Sequence, residues 1–233
     1  MRKGFYLVVV VGLLVLLCAP QANAAEDGSK FGAGVFVDRN VPVLKFGDRY
    51  QAGLKYGVTF DYELSSRTTL EFEYHHASLS DGKVETSAFY WPVDKKWYFS
   101  PQAEAKFNLN SFILTSMSYL GETTAGDLRL MPYVAIGAGI YDYQERVSGL
   151  IYPGQPVEPL DPSLLLQPQA DDHTPLGATL GVGMTVRQNR FGLDLRARYH
   201  AILGDLRPME AWNVEEVFPI SVVDLRTTFK LYW

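Results

Sequence analysis

Charged residues recur at every second position along several stretches of this 233-residue chain. Lys55, Asp61 and Glu63 share one parity, as do Glu71 and Glu73, Asp194, Arg196 and Arg198, and Asp224, Arg226 and Lys230. Side chains two apart in a strand share a face, so each set would project to one side of its strand. Arg187 and Lys55 help to balance the acids, and the signs come out nearly even. Such a set can close into buried salt bridges, or it can line a narrow ion path. A second candidate is His76-Ala77-Ser78, which puts an imidazole and a hydroxyl on one strand face, as a base beside a nucleophile. No acid is evidently placed to orient His76, and no catalytic residue is assigned. His75, His173 and His200 lack metal-ligand spacing, so neither metal nor cofactor is expected. The Gly-x-Gly pairs (Gly32 and Gly34, Gly137 and Gly139, Gly181 and Gly183) have no full nucleotide fingerprint and no following helix. On an inward face they would leave room for Tyr133, Tyr141 and the arginines.

These residues need strands to hold them. At the end of the chain, Val223, Leu225, Thr227, Phe229, Leu231 and Trp233 fall on one face. Val222, Asp224, Arg226, Thr228, Lys230 and Tyr232 fall on the other. This stretch has no Gly or Pro, and as a bare edge it would aggregate. With one face in lipid and the other in a closed lumen, that liability disappears. Similar alternation occurs over 31–38, 50–63, 69–75, 130–143, 176–187 and 191–201. Segment 107–119 also reads as a strand, but its faces cannot be assigned. The connections alternate between long (39–49, 78–105, 144–175, 203–219) and short (64–66, 120–128, 188–190). A soluble sandwich has no reason to sort its loops by parity. A membrane barrel with both ends in the periplasm does. The expected fold is all-β, a closed antiparallel eight-stranded transmembrane barrel with long extracellular loops. Tyr56, Tyr62, Tyr74, Tyr199 and Trp233 would form its interfacial girdles.

The N-terminus supplies an address. Arg2 and Lys3 precede an apolar run from Phe5 to Cys18, then Ala22-Asn23-Ala24. This is the layout of a cleavable secretory leader, with residues 1–24 removed and 25–233 forming the barrel domain. The run is short for an uncleaved anchor, and Leu17 before Cys18 does not suit a lipobox. Cys18 is the single cysteine, so no disulfide is expected after cleavage. Loss of Arg2 and Lys3, with no acid in the leader, moves the formal charge from −5 to −7. That sign argues against nucleic acid as a partner.

The chain resembles the small eight-stranded outer-membrane β-barrel proteins of Gram-negative bacteria, the group of the OmpA membrane domain and OmpX. The resemblance lies in the leader, in the strands containing Pro132-Tyr133-Val134-Ala135-Ile136-Gly137-Ala138-Gly139 and Leu193-Asp194-Leu195-Arg196-Ala197-Arg198-Tyr199, and in the aromatic last residue. It implies that Phe229, Leu231 and Trp233 belong to the signal read by the barrel-assembly machinery, although Trp stands where Phe is commonest. No periplasmic domain is expected after the barrel, so a peptidoglycan-binding role is not expected either. His76-Ala77-Ser78 is similar to the His-x-Ser of outer-membrane lipid A deacylases, but Leu79 replaces the Asn of that family.

The functional expectation is a non-enzymatic, monomeric envelope protein in contact with outer-membrane lipid and lipopolysaccharide. Its barrel would be plugged by Lys55, Asp61, Glu71, Glu73, Asp194, Arg196, Arg198, Asp224, Arg226 and Lys230, because eight strands enclose room only for side chains. Its loops would bind a surface partner. Phe89-Tyr90-Trp91 and Trp97-Tyr98-Phe99 flank a turn at 92–96, which suggests a hairpin. Trp91, Lys95, Lys96 and Trp97 would then meet lipopolysaccharide. The alternative is a narrow pore or a conduit for small apolar solutes, as in OmpW-like barrels.

Overall fold

Backbone polar groups in a bilayer must be satisfied within the protein, so strands can cross only as a closed ladder. The computed structural model, which describes residues 30–233, closes that ladder. The expected leader, residues 1–24, lies outside the described residues. Eight long antiparallel strands form the wall: β1 (Phe31–Pro42), β2 (Gly53–Ser65), β3 (Thr68–Ser80), β6 (Glu104–Tyr119), β8 (Leu128–Ser148), β10 (Leu176–Gln188), β11 (Phe191–Ile202) and β12 (Ile220–Tyr232). Each pairs with the next in that order, and β12 returns to β1 with Gly32 opposite Tyr232 and Pro42 opposite Val222. The other elements are short. They are α1 (Lys45–Arg49), α2 (Lys83–Thr86), the hairpin β4 (Ala88–Trp91) and β5 (Lys96–Phe99), β7 (Thr123–Ala125), β9 (Gln169–His173) and a 3-10 turn (Glu210–Trp212). Strand β9 extends the upper end of β8, with Tyr143 opposite His173.

The inward and outward sets follow the period of two. On β12, Asp224, Arg226, Thr228 and Lys230 are buried while Leu225 and Phe229 are exposed. On β1, Phe36 points inward and Val35 and Val37 outward. The outward apolar positions continue around the wall through Phe60, Phe72, Phe112, Leu114, Ile136, Leu180, Val182 and Leu195. An exposed apolar patch of that extent suits hydrocarbon, not water. Tyr56, Tyr62, Tyr74, Tyr199 and Trp233 all face outward.

Strand β6 explains why its faces resist a reading from sequence. In its lower half Phe112 and Leu114 face out while Ser111 and Thr115 face in. Toward its start the polarity inverts: Phe107 and Leu109 face in, and Asn108 and Asn110 face out. Strand β3 changes in the same way, from Glu71 and Glu73 inside to Ala77 and Leu79 inside, with His76 and Ser78 outside. On β8, Val134 and Ile136 face out below, and Asp142 and Arg146 face out above. Along these three strands the alternation of buried and outward positions is kept through the change. The medium outside the wall changes from lipid to water, and the apolar face moves inward with it.

A ladder without edges resists detergent until heat opens it. The folded protein in SDS should migrate at a different apparent mass from the boiled sample. Identical migration with and without boiling would contradict a closed barrel.

Candidate functional site

The lower interior is ionic. Glu71 accepts from three cations: Arg196 through two bonds of 2.7 and 3.1 Å, Arg226 at 2.8 and 3.1 Å, and Lys230 at 2.8 Å. Lys230 also donates to Asp61 at 2.7 Å. Glu73 takes a two-pronged contact from Arg198, both bonds 2.8 Å, and a further bond from Arg226. Arg198 reaches on to Asp224 at 3.0 Å, and Lys55 donates to the same carboxylate. Tyr133 donates to Asp194 at 2.7 Å and accepts from Arg196 Nε at 2.7 Å. All ten residues of the expected interior set are buried, and the contacts join them into one connected system. Planar guanidinium forks suit this role, because each can hold one carboxylate by two bonds. The small inward positions make the space. A Cβ on Gly177 would come within 2.6 Å of the Tyr141 ring, and one on Gly183 would collide with Tyr133.

Several members were not singled out from sequence. Asp38 lies 3.0 Å from Lys55. His75 Nδ1 contacts Glu73 at 2.6 Å, and His200 bridges Asp224 at 2.6 Å and the Tyr141 hydroxyl at 2.9 Å. Parity held the signal. Asp38 follows Phe36 by two, His75 follows Glu73 by two, and His200 follows Arg198 by two.

Above this system the interior is apolar, which the sequence reading did not anticipate. Strand residues Leu79, Phe107, Leu109, Ile113, Tyr143, Ile202 and Val222 pack with side chains from all four extracellular connections. The connections contribute Phe46, Phe89, Trp91, Ile151, Leu206, Trp212 and Val217, among others. Phe107 stacks on Tyr143 at 5.3 Å and meets Phe46 edge-on at 5.0 Å. One buried ion pair ties this cap down. Arg49 donates to both Glu145 oxygens at 2.8 Å and to the Arg207 carbonyl at 2.7 Å, and Tyr50 donates to Glu145 at 2.6 Å. Burial, reinforced by the Glu145 charge, pushes the Tyr50 phenol above its ordinary pKa of 10.0. It therefore stays a donor across the physiological range.

The hairpin forms as expected, but Trp91 is not on its surface. Phe89, Trp91 and Tyr98 turn into the cap, and the indole of Trp91 donates to the Gln155 carbonyl at 3.0 Å. The expectation that Trp91 meets lipopolysaccharide is corrected on that ground. Trp91 and Trp97 lie on opposite faces of a two-stranded ribbon, as register requires. Trp97 is 63% exposed. Lys95 sits exposed at the tip with φ 62°, and Lys96 lies 3.4 Å from Asp94 with its side chain still largely in solvent. His76 and Ser78 face outward side by side, but each is engaged across the sheet. His76 Nδ1 meets Asn110 Oδ1 at 2.9 Å, and the Ser78 hydroxyl donates to Asn108 at 3.0 Å. Both partners are amides, so neither contact activates the serine.

A closed eight-stranded wall, an apolar outer belt and an ionic lumen define a small β-barrel of the outer-membrane type. No family model matches the sequence, and no curated protein matches it. Among solved structures, Neisserial surface protein A is similar, with 13% identity and a TM-score of 0.49 over 89% of this chain and all of the other. Ail, the attachment invasion locus protein of Yersinia pestis, is similar at 12% identity and 0.41, over 88% of this chain and 96% of its own. The outer membrane protein OprG of Pseudomonas aeruginosa is similar at 11% and 0.44, over 90% and 99%. At these identities no role passes from them to this chain.

Removing one partner of a buried ion pair strands the others in a low dielectric, at a cost of about 3–5 kcal/mol. Glu71→Ala removes the acceptor that Arg196, Arg226 and Lys230 share, while Arg226 keeps Glu73 and Lys230 keeps Asp61. Denaturant unfolding in detergent should show a loss of about 3 kcal/mol, the lower end of that range, and a loss below about 1 kcal/mol would contradict a tightly paired lumen.

Proposed function

We propose that this protein is a closed outer-membrane anchor whose extracellular cap meets lipopolysaccharide. The filling of the lumen at two levels carries the reading. The Glu71–Glu73–Arg196–Arg198–Arg226 system occupies the lower interior, and the aromatic cap occupies the upper interior. A narrow pore or a conduit for apolar solutes would need a path along the axis that these side chains occupy. In planar bilayers the purified protein should stay near the conductance baseline, and discrete single-channel steps would overturn the anchor.

Contact with lipopolysaccharide is supported by the hairpin tip. Lys95 and Lys96 project there, beside exposed aromatic rings, from a chain whose overall charge is negative. A lysine near an anionic membrane surface contributes about 1 kcal/mol, and the Asp94 contact discounts one of the two. Lys95→Glu with Lys96→Glu should weaken binding to purified lipopolysaccharide about tenfold, which is roughly 1.4 kcal/mol. Unchanged affinity would remove this part of the reading.

A further inference from the structure

The outward face of the β4–β5 hairpin is aromatic and faces water. Register places Tyr90 opposite Trp97 and Ala88 opposite Phe99, so these four side chains share that face. Trp97 and Phe99 are 63% and 64% exposed. Most loop aromatics cover local apolar surface, and Phe89, Trp91 and Tyr98 on the other face do so. The outward rings do not. They line an open groove together with Lys83, Ser87, Glu210, Ala211, Asn213 and the buried Trp212. Trp212 packs on Phe89, with ring centroids 5.8 Å apart, and so joins the groove to the core of the cap. The Tyr90 and Trp97 rings meet at 57° with centroids 5.5 Å apart, a tilted pair that keeps the indole open to solvent. The groove holds about 820 Å³, within the roughly 300–1,000 Å³ of small-molecule sites.

We propose that this groove binds a hexopyranose unit of the lipopolysaccharide sugar chain. A pyranose ring has a flat C–H face and a rim of hydroxyls. The C–H face suits Trp97 and Phe99, and the rim suits a carboxylate, an ammonium, an amide and a hydroxyl from Glu210, Lys83, Asn213 and Ser87. An acyl chain would use the rings and none of these four polar groups. The source follows from placement. The apolar belt spans the bilayer, and the cap lies beyond it on the side of the long loops, where the sugars of the outer leaflet would lie. Lys83 in the groove and Lys95 and Lys96 at the tip add positive charge where the anionic saccharide would approach.

The proposal rests on the lipopolysaccharide reading above, and its test separates the two. The probe is lipopolysaccharide oligosaccharide stripped of acyl chains and phosphate, added to the full chain in detergent micelles. Saturation-transfer NMR should show contact at ring C–H protons, and Trp97 fluorescence should change on titration. Trp97→Ala should lower the affinity at least tenfold, whereas Trp97→Tyr should retain most of it. Folding of each variant is checked by its unboiled migration in SDS. Absence of saturation transfer, or equal affinity for wild type and Trp97→Ala, overturns the saccharide site. If intact lipopolysaccharide still binds in a lysine-dependent way, the broader reading survives that result. Displacement of the probe by phosphocholine also overturns the site, since it assigns the groove to a different ligand.

Discussion

The structure depends on the cost of burying charge. Arg196, Arg198, Arg226, Lys230 and Lys55 lie inside a narrow wall that is itself surrounded by hydrocarbon. A buried cation is tolerated there only when it finds a carboxylate, and Glu71, Glu73 and Asp224 each accept from more than one donor residue. Glu71 and Glu73 meet that demand by standing two residues apart on β3, facing arginines that stand two apart on β11. Arg226 on β12 then bridges both acids. Strand β3 is thereby tied across the lumen to β11 and β12, from which it is remote in sequence. The same pairing that makes the lumen tolerable also fixes how far each strand slides against the next.

The upper half obeys the opposite rule. Once the wall leaves the lipid, its outer face needs no apolar cover, and the hydrophobic side chains can move inside. Phe107, Leu109, Leu79 and Val222 then supply a wall for loop residues to pack against, as in a soluble core. The four long connections are consequently folded parts of the protein. Their polar anchor is Arg49 with Glu145, which joins the first loop to the wall and, through the Arg207 carbonyl, to the last loop. A barrel built this way presents a shaped, rigid surface at its outer end, which a recognition role requires.

The hairpin shows how one geometric rule divides a cluster of like residues. Six aromatics lie within residues 89–99, and sequence alone treats them as a group. Alternation across the ribbon sends Phe89, Trp91 and Tyr98 into the cap and leaves Tyr90, Trp97 and Phe99 outside. The first three stabilise the loop, and the second three remain free for a ligand. The His76–Ser78 pair teaches the reverse lesson. The two share a face, yet the asparagines of β6, at Asn108 and Asn110, take their hydrogen bonds.

Sequence by itself determined the wall, because a period of two needs only local information. The inward ionic set of β2, β3, β11 and β12, the outward apolar set and the parity of loop lengths were all legible there. Tertiary structure decided what parity cannot carry. Charge balance did not reveal that Glu71 serves three cations, since those partners come from β11 and β12 and meet only when the barrel closes. The faces of β6 stayed unreadable because polarity inverts partway along it, and polarity reports the medium as well as the side. The burial of Trp91 was settled by packing against Gln155 and Tyr98, contacts set by the folded cap and absent from any local pattern.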